Sequence, residues 1–149
     1  MRVLSYGRQH IDEEDIAAVV AVLKGDWLTQ GPSVSAFEKA FEDYTGARHA
    51  VSFANGTAAL HGAYFAAGVG PGDEVLTTPM TFAATGNGAL YLGGSVAFAD
   101  IDPETLCLDA EKAREKVTAA TKVIAPVSFA GYPSDLAPFK KLAESCGAV

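Results

Sequence analysis

From residue 50 onward the chain alternates short apolar runs with longer segments of helical spacing. Strand candidates at Ala50 to Ala54, Glu74 to Thr78, Val96 to Ala99 and Lys122 to Val127 alternate with helix candidates at Thr57 to Ala67, Phe82 to Leu92, Asp109 to Val117 and Asp135 to Cys146. Parallel neighbours need a crossover long enough to hold a helix, so this rhythm predicts an α/β fold with a mostly parallel sheet flanked by helices. Gly68-Val69-Gly70-Pro71-Gly72-Asp73 and Gly93-Gly94 fall between the elements, where glycine and proline break regular structure. Pro126, inside the last strand candidate, predicts a strand end or a position whose amide is not needed. Gly147 reads as a helix cap and Ala148-Val149 as the first residues of another buried strand, so the chain reads as the N-terminal part of a larger architecture.

Ahead of this alternation the pattern is helical. Asp12 can cap a helix whose apolar positions Ile16, Val19, Val20 and Leu23 share one face, with Gly25 at its end. The run Asp12-Glu13-Glu14-Asp15 suits a helix N-terminus electrostatically, a simpler account of four carboxylates than a pair of acid and base catalysts. After the loop Asp26 to Pro32, positions Val34, Phe37, Phe41 and Tyr44 mark a second amphipathic helix closing at Gly46. The expected division is a helical segment with a loop at 1–46 and an α/β domain at 47–149.

Composition narrows the function. The 149 residues are 49% apolar with a net charge of −7 spread along the chain, which disfavours nucleic acid and anionic membrane as partners. No apolar run approaches the ~18 residues of a membrane span, and the opening lacks a signal-peptide core, so a cytoplasmic protein is expected. Cys107 and Cys146 match no metal or redox spacing, and His10, His49 and His61 do not cluster with other ligands, so no metal site is expected.

One junction carries chemistry. Ala50 to Ala54 breaks at Asn55-Gly56 and continues through Thr57-Ala58-Ala59-Leu60 into a helix-forming stretch. Gly56 lets backbone approach a ligand closely, Thr57 supplies a hydroxyl, and the freed amides of a helix start suit a phosphate. The bland alternative is a turn and a cap. Phe82, at the next strand-to-helix junction, can lie over a flat heteroaromatic ring, or it is a core residue. Thr81 and Thr85 beside it read as a cap and a helix-surface residue. No Walker loop, dinucleotide fingerprint or nucleophile elbow is present.

Six segments together resemble the DegT/DnrJ/EryC1/StrS sugar aminotransferases: Trp27 to Pro32, Asn55 to Leu60, Gly70 to Val75, Thr78 to Thr85, Asp100 to Thr105 and Ala130 to Leu136. The resemblance implies pyridoxal phosphate (PLP) on an aspartate-aminotransferase-like type I fold, with an amino donor and a nucleotide-activated keto sugar as substrates and a homodimer as the assembly. It implies that Gly56, Thr57 and the amide of Ala58 bind the cofactor phosphate and that Phe82 stacks on its ring. Tyr6, Thr29, Gln30 and Gly31 match segments that line the sugar-nucleotide pocket in the family. The opening Tyr6 to Asp12 looks most like the branch that aminates a UDP-linked 4-keto-6-deoxy sugar on the way to pseudaminic acid. Ser128 departs from the family pattern, where many relatives carry His. The aspartate that pairs with the pyridine nitrogen and the lysine that anchors the cofactor match nothing in these residues, so the chain by itself is expected to have no catalytic residue and no turnover. Lys24, Lys39, Lys112, Lys116, Lys122, Lys140 and Lys141 read as surface groups. A PLP-dependent sugar dehydratase of the same family and a non-catalytic nucleotide-binding or oligomerisation module are the alternatives.

Overall fold

The computed structural model describes residue 7 and residues 9–149. The chain divides into two units, Met1–Ser52 and Phe53–Val149.

The first unit carries α1 (Glu13–Lys24) and α2 (Pro32–Thr45). Asp12 caps α1 with a reciprocal capping box: its side chain accepts from the Glu14 and Asp15 amides while Asp15 accepts from the Asp12 amide. α2 starts with Pro32 and ends at Gly46 in the left-handed conformation, as the sequence indicates. The expected apolar stripes are there, yet no residue of either helix is buried. Two helices and a loop offer too little apolar surface to enclose one another.

The stretch Ala50 to Ala54 corrects a sequence expectation, for it joins no sheet. Instead the Ala50 amide donates to Glu42 Oε1 at 3.1 Å, and the Ser52 amide and hydroxyl both donate to Glu38 Oε1 at 2.8 Å. Four helical residues rise about 6 Å and two extended residues about 6.6 Å, so carboxylates at i and i+4 match alternate amides of an extended chain. Strand propensity makes a strand only where a ladder partner lies alongside; among the described residues, α2 side chains take that place on one edge.

The second unit holds α3 (Gly56–Ala66), β1 (Glu74–Thr77), α4 (Ala84–Leu90), β2 (Ser95–Phe98), α5 (Ala110–Lys116), β3 (Thr121–Ile124) and α6 (Ala137–Cys146). The three strands are parallel in the order β2-β1-β3. Adjacent residues of the central strands face opposite sides, so each strand feeds two cores. Val75 and Val123 pack with Tyr64, Val69 and Ala89 on the α3 and α4 side. Leu76 and Ile124 pack with Ala113, Phe139, Leu142 and Ala143 on the α5 and α6 side. Burial on both faces explains why these strands read as continuous apolar runs. Pro126 lies beyond the end of β3, as its missing amide requires. The Val149 amide donates to the Lys122 carbonyl and its carbonyl accepts from the Ile124 amide, the pattern of parallel pairing along β3.

α4 and α6 begin later than expected. α4 starts at Ala84, leaving Phe82 in the connection from β1, and α6 starts at Ala137 with Pro138 in its first turn.

Candidate functional site

The crossover from β1 leads through α4 to β2, and the chain then passes through α5 to β3 on the other side of β1. Strand order thus reverses at β1, and such a reversal opens a crevice outside the carboxyl ends of the strands. Two connections start there: Thr78 to Ala83 after β1, and Ala125 to Leu136 after β3.

α3 brings its N-terminus to the same end. Tyr64 of α3 reaches the Thr85 carbonyl, the His61 backbone lies beside Gly88, and Val69 beyond α3 meets Gly94 beyond α4. Pro71 likewise lies against Gly93, and both contacts fall just where the chain enters β1 and β2, so both helices end at the amino ends of these strands and both start toward the carboxyl ends.

The first turn of α3 is partly capped. Asn55 Oδ1 accepts from the Ala58 amide at 2.9 Å, and the Asn55 carbonyl accepts from the Ala59 amide. The amides of Gly56 and Thr57 and the Thr57 hydroxyl have no partner among the described residues. A Cβ placed on Gly56 would meet nothing within 4 Å. The backbone turn therefore does not require glycine at 56; its absent side chain leaves the amides approachable. Ala58, expected to offer its amide as a third donor, has that amide already engaged by Asn55.

Phe82 is 78% exposed, so the core alternative fails. Its segment is nonetheless held: Thr78 Oγ1 accepts from the Met80 amide at 3.1 Å and the Thr81 and Thr85 hydroxyls pair at 2.8 Å. Thr85, expected on a helix surface, is buried. Burial pushes the Tyr64 phenol up from its ordinary value, keeping it a hydrogen-bond donor.

After β3, Ser128 Oγ accepts from the Ser134 amide at 3.3 Å and Ser134 Oγ donates to the Val127 carbonyl at 3.1 Å. Ala130 is left-handed with φ 52°, a conformation that costs a non-glycine residue ~1 kcal/mol or more.

Thr29, Gln30 and Gly31 lie in the first unit, in the loop entering α2. Gln30 is left-handed at φ 49°, and a Cβ on Gly31 would sit 2.6 Å from Trp27 Cβ, so the turn excludes any side chain at 31. Tyr6 lies outside the described residues. The structure brings Gly56, Thr57, Ala58 and Phe82 to one end of the second unit. Thr81, expected as a cap, does not cap α4, whose N-cap is Ala83 with no side-chain hydrogen bond, and Tyr64 escaped sequence reasoning because nothing in an alanine-rich helix marks one tyrosine as a strut.

Residues 9–149 match the model of the DegT/DnrJ/EryC1/StrS aminotransferase family. The spore coat polysaccharide biosynthesis protein SpsC of Bacillus subtilis is 42% identical over 144 residues, covering 97% of this chain and 37% of that protein. The UDP-4-amino-4-deoxy-L-arabinose--oxoglutarate aminotransferase of Shewanella sediminis is 41% identical over 137 residues, covering 92% and 35%. The crystal structure of NtdA from Bacillus subtilis with bound cofactor PMP superposes with a TM-score of 0.84 at 34% identity, covering 89% of this chain and 31% of that one. The chain thus spans about a third of the length of these relatives. It belongs to the DegT/DnrJ/EryC1/StrS aminotransferase family.

Proposed function

We propose that this chain supplies the phosphate-gripping and ring-covering part of a PLP-dependent aminotransferase that passes an amino group, from a donor such as glutamate, to a keto carbon of a nucleotide-linked deoxy sugar. The observation that carries the proposal is the pairing of an open helix start at Gly56-Thr57 with the exposed ring of Phe82 at the same end of the unit. A relative bound to PMP and another whose name specifies a UDP-linked amino sugar and oxoglutarate support the cofactor and the substrate class. SpsC supports a place in polysaccharide synthesis.

The Gly56 and Thr57 amides donate to the cofactor phosphate, and the positive end of α3 favours its charge. The Thr57 hydroxyl is a further donor. Phe82 covers one face of the ring and keeps water from it, worth about 0.5–1.5 kcal/mol beyond the area buried. When bound, PLP supplies the electron sink that lets a C–H bond next to nitrogen give up its proton. Tyr6, Thr29, Gln30 and Gly31 hold the sugar nucleotide, and the working assembly is a cytoplasmic homodimer. Lys39 and Lys112 stand in exposed ion pairs with Asp43 and Glu115, and none of the chain's lysines is the anchoring amine.

Titrating the protein with PLP, pyridoxal and UDP, followed by borohydride, tests the proposal. Saturable binding that favours PLP over pyridoxal, with no single lysine labelled, is expected. Equal affinity for PLP and pyridoxal would defeat the phosphate role, and labelling of one lysine would defeat the exclusion of these amines.

A further inference from the structure

Two hydrogen bonds, one buried and one half-buried, join α3 to the segment that carries Phe82. Tyr64, 4% exposed, donates its phenol to the Thr85 carbonyl at 3.1 Å. The Thr85 hydroxyl, on a residue 6% exposed, pairs with the Thr81 hydroxyl at 2.8 Å. Thr81 and Thr85 stand on either side of Phe82 in the chain. The Tyr64 ring is itself seated on bare backbone: a Cβ at Gly88 would lie 2.8 Å from its Cδ2 and 2.9 Å from its Cε2. No side chain at 88 would permit this approach of α3 to α4.

We propose that Tyr64 and the Thr81–Thr85 hydroxyl pair are positioning residues that set Phe82 relative to the Gly56-Thr57 turn, so that one flat, phosphorylated coenzyme is held at both points together. The inference rests on the cofactor reading given above. A ligand gripped at two places needs the spacing fixed to about 0.5 Å. Phe82 is too exposed to be placed by packing of its own ring, so its location comes from the backbone on either side. Thr81 and Thr85 tie that backbone across the start of α4, and Tyr64 ties Thr85 to the helix whose first turn meets the phosphate. The phenol contributes only its O–H, since the ring is anchored independently on Gly88.

A double-mutant cycle tests this in the whole protein, with Tyr64→Phe, Phe82→Ala and the combination, reading dissociation constants for PLP and for inorganic phosphate. Tyr64→Phe is expected to weaken PLP about 3- to 10-fold, to leave inorganic phosphate unchanged, and to have no further effect once Phe82 is alanine, the non-additivity of residues acting as one unit. An equal loss for inorganic phosphate, or the same loss in the Phe82→Ala background, would overturn the positioning role and leave Tyr64 a plain core residue. If Tyr64→Phe does not fold, Thr81→Val, which keeps the shape without the hydroxyl, takes its place. Thr81→Ser should restore PLP affinity, and failure to restore it would count against the proposal. Should the unaltered protein bind PLP no better than pyridoxal, the cofactor reading itself fails, an outcome distinct from additivity in the cycle.

Discussion

Glu38 Oε1 accepts two hydrogen bonds from Ser52, from the backbone amide and from the hydroxyl, both at 2.8 Å. The amide bond is the larger cause, the hydroxyl the smaller, of a Glu38 carboxyl that stays ionised below its ordinary value of 4.5. A group whose folded value is depressed contributes fully above its unfolded value and loses that contribution as pH falls through the folded one. The Ser52 amide resonance should therefore titrate with a midpoint below 4.5. In Glu38→Ala the Ser52 amide should exchange with solvent roughly tenfold faster or more. A midpoint at or above the ordinary value, or unchanged exchange, would contradict the bond.

Gly88→Ala places a methyl inside contact distance of the Tyr64 ring, whose neighbours are buried and close-packed. Overpacking of this kind costs ~1–3 kcal/mol. A lowered denaturant midpoint with an unchanged slope is the expected outcome, and an unaltered midpoint would show that α3 and α4 can part without cost.

Asn55→Ala removes the only side-chain cap of α3, with an expected loss of ~1 kcal/mol in thermal or denaturant unfolding. The change also frees the Ala58 amide, so phosphate affinity should be kept or rise while stability falls. A joint loss of both would mean that Asn55 serves the ligand directly.

Phe82→Ala should leave stability within about 0.5 kcal/mol, since the ring is 78% exposed. PLP affinity should fall about 2- to 13-fold, the factor that corresponds to one stacking contact. A clear stability loss would reassign the ring to packing.

Much of the architecture was legible because it follows from period and punctuation. β1, β3 and α3 lie within a residue or so of their sequence bounds at the start, and Asp12, Gly25, Gly46 and Asn55 act as caps where their side chains or missing side chains indicate. The strand at Ala50 to Ala54 misled because propensity cannot say whether a partner lies alongside, and here Glu38 and Glu42, distant in sequence, take the amides. Burial misled for Ile16, Val19, Phe37 and Phe41, since amphipathic spacing fixes a stripe and not what covers it. At the site, the helix start at Gly56-Thr57 was readable from its Asn-Gly punctuation and the place of Phe82 from the apolar run of β1 before it, as positions and not as roles. Tyr64 and Thr85 were not, because an O–H to carbonyl bond between residues 21 apart leaves no periodic trace.

The central claim is that α3's first turn and Phe82 hold one molecule of PLP between them. A two-dimensional NMR titration with PLP tests it most directly. Saturable, concerted shifts of the Gly56 and Thr57 amides together with ring-current shifts at Phe82 are predicted. Shifts confined to other residues, or Gly56 and Thr57 responding at a different PLP concentration from Phe82, would contradict the account.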